Sequence, residues 1–310
     1  MKLSVVIPTL DKRPLLERTL AALLSQDAGT AEWEVVVVDD GSTDDTAALL
    51  ARLAAADGRV RPVSPPRNVG RARARNLGWR AASGRWVLFL DDDILAPPGL
   101  LRAHLAVLAA GEAVGTIGPT RTAPEILDAA HFHYIDTRGV AKLPAGPAPG
   151  KYLVTQNAAV PREALAAVGG FDEGYAAYGF EDMDLGFCLE DAGVRFQVLP
   201  APVPLHIHHH DLAAYLQKKR LCGRSSLRRL AARHPHRLRE MRLDGLLAGD
   251  RPSSLARVLG GRLGVLPAFL AASWPAAATS PILPAAHARC LDLAVLCCYA
   301  AGLTAPRLDS

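Results

Sequence analysis

The run Val35-Val36-Val37-Val38, closed by Asp39-Asp40-Gly41, constrains this chain more than any other feature. Four successive β-branched residues leave no polar side for water, so the strand they form must be covered on both faces. That points to a parallel sheet between layers of helix. The flanking sequence keeps the same rhythm. Residues 3–7 read as a strand, 14–25 as a helix with proline in its first turn, and 34–39 as the second strand. A helix capped by Ser42 or Thr43 runs through Ala56. Strand 59–64, helix 69–82 and strand 85–90 follow, which is the pattern of βαβ units.

Region 121–150 is rich in Pro, Gly and His and reads as loops, with short strands near a site as the alternative. Strand 152–155, helices 162–167 and 181–192, and strand 194–199 then resume the α/β rhythm. From Asp211 the pattern is helical, broken at Pro235, Pro252, Pro267, Pro275 and Pro281. A domain boundary is expected there, with an α/β part over 1–211 and a helical part over 212–310.

Composition removes several classes. Half of the 310 residues are apolar and 21% are charged, which excludes a disordered or collagen-like chain. Five cysteines without a CxxC pair argue against a zinc knuckle and against a secreted disulfide framework. The apolar start is stopped by Pro8, too early for a signal peptide. Stretches 263–279 and 290–305 are interrupted before the ~20 clean residues of a spanning helix. A cytoplasmic, reduced protein is the expectation, with surface association left open.

In parallel α/β sheets, ligands bind beyond the carboxyl ends of the strands. Three such ends are polar here: Pro8-Thr9-Leu10, Asp39-Asp40-Gly41 and Asp91-Asp92-Asp93. For Asp39 a plain helix cap explains the residue as well as a site does. Asp91-Asp92-Asp93 is harder to explain as structure, because three adjacent carboxylates resist ionising together. A divalent Mg²⁺ or Mn²⁺ resolves that repulsion, and an acidic turn ahead of the helix near Pro97 is the competing reading. Arg71 and Arg75, after Gly70, share a face at i,i+4 spacing near a helix start, where a diphosphate suits them. No GxGxxG or P-loop occurs. Glu181 and Asp182 open a helix and face different ways. His206 and His208, alternate residues in the cluster that includes His209 and His210, could face one site.

Together these stretches resemble the family 2 glycosyltransferases, whose fold is GT-A: a Rossmann-like, mostly parallel central sheet flanked by helices. The resemblance runs from Ser4 to about Arg224, about two-thirds of the chain, and leaves a helical C-terminal extension. It rests on Val5-Val6-Ile7-Pro8-Thr9, Val38-Asp39-Asp40-Gly41-Ser42, Asn68-Val69-Gly70 with Ala74-Arg75-Asn76, Phe89-Leu90-Asp91-Asp92-Asp93, Gly169-Gly170-Phe171-Asp172 and Gly179-Phe180-Glu181-Asp182-Met183-Asp184-Leu185, in that order.

The resemblance implies a metal-dependent, inverting transfer of a sugar from a nucleotide-diphospho-sugar, with UDP as the expected nucleotide, in cell-surface glycan or glycoconjugate synthesis. It implies a nucleotide-sugar site of Pro8, Thr9, Leu10, Asp40, Gly70, Arg71, Arg75, Asp91 and Asp92. It implies Mn²⁺ or Mg²⁺ on Asp91, Asp93 and His206, with His208 as the alternative ligand. Asp182 would be the general base and Glu181 would bind the acceptor. The family's ED helix usually carries an arginine where this chain has Cys188. Gln217-Lys218-Lys219-Arg220-Leu221 lacks the tryptophan of the processive QxxRW motif, so single addition is expected. The rival readings are a sugar nucleotidyltransferase, whose glycine-rich N-terminal loop is absent, and an inactive nucleotide-sugar-binding scaffold.

Residues 217–242 hold ten Lys or Arg against the single acid Glu240. Such a segment can be a solvated helix, contact a diphosphate, or lie on an anionic membrane at the inner face, next to a saccharide or lipid-linked acceptor. The peripheral contact is assigned to 212–242. Nucleic acid is not expected, since no aromatic platform is interleaved with the charge.

Overall fold

Val35, Val36, Val37 and Val38 are fully buried in the second strand of an eight-stranded sheet. The structure, a computed structural model, describes residues 2–126, 130–175, 178–208, 211–248, 251–261 and 285–306. Val35 and Val37 join a cluster with Leu16, Leu20 and Leu50, whereas Val36 and Val38 join one with Ala72, Ala74 and Phe171. Alternate residues thus bury on opposite faces, which is why all four positions of the valine run are apolar.

The strands of this sheet are β1 (Lys2–Thr9), β2 (Glu32–Asp39), β3 (Val60–Val63) and β4 (Trp86–Phe89), followed by others after two-residue β5 (Ile94–Leu95). These are β6 (Val114–Ile117), β8 (Gly146–Ala148), β9 (Ala158–Pro161) and β10 (Arg195–Val198), with two-residue β7 (Arg121–Thr122) lying outside the sheet. The order is β3-β2-β1-β4-β9-β6-β10-β8. β1 pairs in parallel with β2 and β4, and β2 with β3. β9 is antiparallel to both β4 and β6, and β8 is antiparallel to β10.

Helices α1 (Arg13–Leu24), α2 (Thr46–Ala56) and α4 (Leu100–Leu108) supply leucines to the first cluster. Helices α3 (Arg71–Ala81) and α6 (Arg162–Val168), the latter following the short α5 (Ala130–Asp136), supply the second. A small three-stranded sheet places β11 (Leu205–His206) between β5 and β7, with His206 opposite Ile94.

Two local expectations change. Residues 152–155 form no strand: a 3-10 turn covers Gly150–Tyr152, and the strand lies at β9 instead. α2 begins at Thr46 rather than after a Ser42 or Thr43 cap. Ser42 Oγ accepts from the Asp11 N–H and Thr43 N–H donates to Asp11 Oδ1, while Asp44 Oδ1 accepts from the Thr46 N–H at 3.0 Å.

The chain divides into two compact units, one of Met1–Ile126, Asp136–Glu173 and Leu185–His208, the other of Leu127–Ile135, Gly174–Asp184 and His209–Ser310. The second unit therefore also takes two short segments that precede residue 211. It contains α8 (Leu212–Arg224), started by Asp211 Oδ1 accepting from Ala214 N–H at 2.7 Å, and α9 (Ser226–Arg233). It also contains α10 (Ser254–Gly261) and α11 (Ala285–Thr304). Leu227, Leu246, Leu259, Cys297 and Leu303 form its main core. Among the described residues no helix is long and apolar enough to cross a membrane. Stretch 263–279 lies outside the described residues.

Candidate functional site

The turn after β4 carries Asp91, Asp92 and Asp93, and their carboxylates have separate partners except for Lys12, which the last two share. Asp91 Oδ1 accepts from Arg75 Nη2 at 2.9 Å. Asp92 Oδ2 accepts from the Thr9 hydroxyl at 2.8 Å, and the Thr19 hydroxyl donates to the Asp92 carbonyl. Lys12 Nζ donates to both Asp92 Oδ1 and Asp93 Oδ2 at 2.9 Å. Asp93 Oδ1 stands 3.2 Å from His206 Nε2. The short β11 strand causes that meeting: His206 pairs with Ile94, and the Ile207 N–H donates to the Asp93 carbonyl at 2.9 Å.

Burial opposes charge here, and the neighbours decide which groups keep it. Burial pushes the Asp92 carboxyl up to about 6, with Lys12 pulling it down and Asp93 pushing it further up. Asp93 is equally buried, yet the His206 and Lys12 contacts overcome that and hold it well below the usual carboxylate range. For Lys12, burial favours the neutral amine, but Asp92 and Asp93 outweigh it and keep the ammonium charged. His206 follows the same logic, raised by the Asp93 hydrogen bond and charge against its burial.

Thr9 and Asp92 therefore bind each other and shape the turn. Arg75, nearly buried, places its guanidinium 5.8 Å from the Phe171 ring centre, whereas Arg71, one turn earlier on α3, is exposed. Asp40 accepts from the Val69 and Gly70 N–H groups at 2.7 and 3.0 Å, which ties the end of β2 to the start of α3. Gly70, with φ +83°, is the residue at that helix entrance. Pro8 lies within β1 and Leu10 is 40% exposed beside it. Asp39 Oδ1 accepts from the Ser42 N–H and so closes the turn after β2; it caps no helix, because α2 starts only at Thr46.

Asn76 holds the Gly169-Gly170-Phe171 segment against α3. Its Oδ1 accepts from the Phe171 N–H and from Trp79 Nε1, and its Nδ2 donates to the Phe171 carbonyl and Glu173 Oε1. Gly170 has φ +78°, and a Cβ there would lie 2.5 Å from Asn76 Oδ1 and Trp79 Nε1. Only glycine meets both conditions.

Glu181 and Asp182 open α7 (Glu181–Asp191), Glu181 buried and Asp182 half-buried. The preceding Phe180 has φ +70°, a costly backbone state for a bulky residue. Its carbonyl accepts the Asp184 N–H at 2.9 Å. Asp184, which the sequence did not single out, is 1% exposed, and its Oδ1 accepts from Tyr175, Arg233 and His234. Lys12 was also missed. Its only sequence signal is a cation three residues past the end of β1.

Asp93 and His206 would give a divalent cation two donors. Asp93 Oδ1 is buried without a well-formed hydrogen bond and faces an imidazole, a mixed oxygen and nitrogen donor set. His208 has its ring centre 6.3 Å from that of His206. His209 and His210 lie outside the described residues.

Residues 4–168 match the family described as Glycosyl transferase family 2, and residues 141–210 match the N-terminal domain of galactosyltransferase. A validoxylamine A glucosyltransferase of Streptomyces hygroscopicus subsp. jinggangensis is 32% identical over 227 residues, covering 63% of this chain and 53% of that protein. The GalNAc(5)-diNAcBac-PP-undecaprenol β-1,3-glucosyltransferase of Campylobacter jejuni is 37% identical over 93 residues, 30% of this chain and 29% of that one. The chain spans 49–65% of the length of the first curated relatives it matches. Among solved structures, the mannosyltransferase PcManGT of Pyrobaculum calidifontis, in complex with GDP-Man and Mn²⁺, superposes with a TM-score of 0.64 at 21% identity, over 97% of this chain and 85% of that one. That likeness shows the fold.

Proposed function

The chain belongs to glycosyl transferase family 2, and on that premise we propose that it transfers a sugar from a nucleotide-diphospho-sugar, UDP-linked in the first instance, to an acceptor hydroxyl. One observation supports the reading: at the turn after β4, His206 stands 3.2 Å from Asp93, and two residues earlier Arg75 donates to Asp91. The glucosyltransferase relative and the GDP-Man complex of PcManGT support it.

Asp91, Asp93 and His206 would hold Mn²⁺ or Mg²⁺, with His208 as the alternative ligand. When bound, the ion supplies Lewis-acid stabilisation of the departing diphosphate. The remaining work belongs to the chain. Pro8, Thr9, Leu10 and Asp40 line the nucleotide end, with Asp40 also fixing Gly70 and the entrance of α3. Arg71 and Arg75 offer guanidinium donors to the diphosphate, and Asp91 orients Arg75. Asp92 acts through Lys12, whose ammonium it shares with Asp93. Asp182 takes the proton of the attacking hydroxyl and Glu181 orients the acceptor, so that in-line attack inverts the anomeric centre. General-base assistance is worth ~10²–10⁴ in rate. A single addition to a saccharide or lipid-linked acceptor, at the cytoplasmic face of a membrane and in cell-surface glycan synthesis, completes the reading. The peripheral contact falls on 212–242.

The test is a nucleotide-release assay. Purified protein with Mn²⁺ is offered UDP-, GDP- and dTDP-sugars, with EDTA controls. Metal-dependent release of one nucleoside diphosphate is the expected outcome. No release and no calorimetric nucleotide binding across the panel would overturn the assignment.

A further inference from the structure

The second unit contains an open cleft of about 1120 Å³ that the donor site does not use. Among the described residues Arg224, Arg228, Arg229, Arg233 and Arg239 line it, together with the carboxylate of Asp244. The basic segment read from the sequence is therefore not a uniform solvated face. Arginines spaced by four, 224 with 228 and 229 with 233, turn toward one concavity, while Leu227 and Leu230 are fully buried.

Four of these guanidinium groups are held in place. Arg229 lies 5.6 Å from the Tyr175 ring centre and rests on the Gly174 backbone, where any Cβ would overlap its guanidinium. Arg233 Nε donates to the buried Asp184 at 2.6 Å, and His234 Nε2 shares the same oxygen at 2.9 Å. Arg224 Nε donates to the Pro306 carbonyl at 2.7 Å, and Arg228 to the Leu303 carbonyl. Arg239, its side chain 90% exposed, stands 3.8 Å from Asp244 at the cleft's edge. Anchoring one nitrogen of a planar fork fixes the direction of the others and reduces the ordering cost of binding. Like charges concentrated in one concavity repel one another and focus the field on an anion. Ala231, Leu238 and Leu247 add apolar wall.

We infer that this cleft binds a phosphate or diphosphate ester, its anionic oxygens on Arg229, Arg233 and Arg239 and its organic part against the apolar wall. Guanidinium forks match such oxygens bidentately. The cleft is larger than a bare phosphate needs, so the ester's organic portion is part of the ligand. Its use as the seat of a phosphate-bearing acceptor rests on the glycosyl-transfer reading; the binding itself does not.

The test is calorimetry on the full chain in EDTA at 150 mM salt, with pyrophosphate and with geranyl diphosphate as probes. Binding of both is expected, geranyl diphosphate more tightly. Arg239→Ala and Arg229→Ala should each weaken it at least tenfold, while Arg52→Ala, an exposed arginine of α2, leaves it unchanged. Arg239 is exposed, so its variant keeps the test meaningful if Arg229→Ala fails to fold. A parallel arm sediments the protein with phosphatidylglycerol or phosphatidylcholine vesicles. Binding to anionic vesicles with none to the soluble diphosphates would overturn the inference in favour of a membrane-docking surface. Diphosphate binding indifferent to both arginine variants would overturn it too. Because no donor is present, a negative result here is distinct from failure of nucleotide release.

Discussion

The Lys12 ammonium lies 2.9 Å from Asp93 Oδ2, on the side of that carboxylate opposite the oxygen that faces His206. A single buried carboxylate thus links a permanent cation to an imidazole. The arrangement explains how Asp92 and Asp93 share a buried turn: Lys12 neutralises part of their charge before any ion arrives. Lys12→Met should therefore destabilise the protein by about 2 kcal/mol, below the range for breaking a fully buried pair because Lys12 keeps about a third of its side chain in water. Urea unfolding with and without Mn²⁺ measures this. Saturating Mn²⁺ should restore part of the loss, and an unchanged midpoint in EDTA would rule out the neutralising role.

His206 and His208 are separated by one residue, and His206 is the one set against Asp93. His206→Ala should weaken Mn²⁺ binding by at least tenfold, about 1.4 kcal/mol, and His208→Ala by much less. Electron paramagnetic resonance of free Mn²⁺ reads both. The reverse order would move the ligand role to His208.

Asp182→Asn should lower the rate of transfer by ~10²–10⁴ while donor binding stays within twofold, the pattern for loss of a group that acts on the acceptor proton. Calorimetry with the donor, beside steady-state transfer rates, separates the two effects. A variant that retains full turnover would remove Asp182 from the mechanism.

Asn76→Ala removes a fully buried hub and leaves the Phe171 N–H and carbonyl without their partner. The expected cost is about 2–3 kcal/mol, read as a shift in the denaturation midpoint. Gly170→Ala should behave similarly, because the added Cβ strikes the same hub from the other side.

Acid should destabilise the first unit in two stages. His104 is fully buried between the Thr116 hydroxyl and Asn157 Oδ1, and burial, partly offset by the Asn157 bond, pushes its imidazole down to about 4. The unfolded imidazole protonates near 6.5 while the folded one stays neutral, so stability is full above 6.5 and is lost as the pH falls toward 4. The gap corresponds to about 3 kcal/mol. Glu34 adds a second stage. Burial opposes its charge, but bonds from Ser4, Ser83 and Arg61 hold it down to about 2, so its contribution is present above 4.5 and fades as the pH falls toward 2. Melting temperatures from pH 7 to 3, with the His104 ring shift followed by NMR, test both. A ring that titrates near 6.5 in the folded protein would contradict the first.

The parts of this structure legible in the sequence are those set by local pattern. The valine run of β2, the polar strand ends and the acidic turn need only periodicity and charge to be read. β9 escaped because Ala158-Ala159-Val160-Pro161 is short and weakly patterned, and its position depends on pairing with strands more than forty residues earlier. Tyr152, Val154 and Thr155 have strand propensity, yet no strand forms there. Within the site, the candidate ligands Asp93 and His206 could be named from sequence, but their meeting requires the β5–β11 pairing. Lys12 and Asp184 stayed hidden because a lone charge carries no spacing signal. Only the folded chain shows which charges each of them answers.

The position of β9 also has a consequence for synthesis. β1 to β4 can pair as they leave the ribosome, but β6 and β10 have no place in the sheet until residues 158–161 have been made. Until then β4 presents an unpaired apolar edge, the kind that recruits other strands. A nascent chain arrested near residue 150 should therefore be the most chaperone-dependent length of the whole protein, and one released past residue 200 should be far less so.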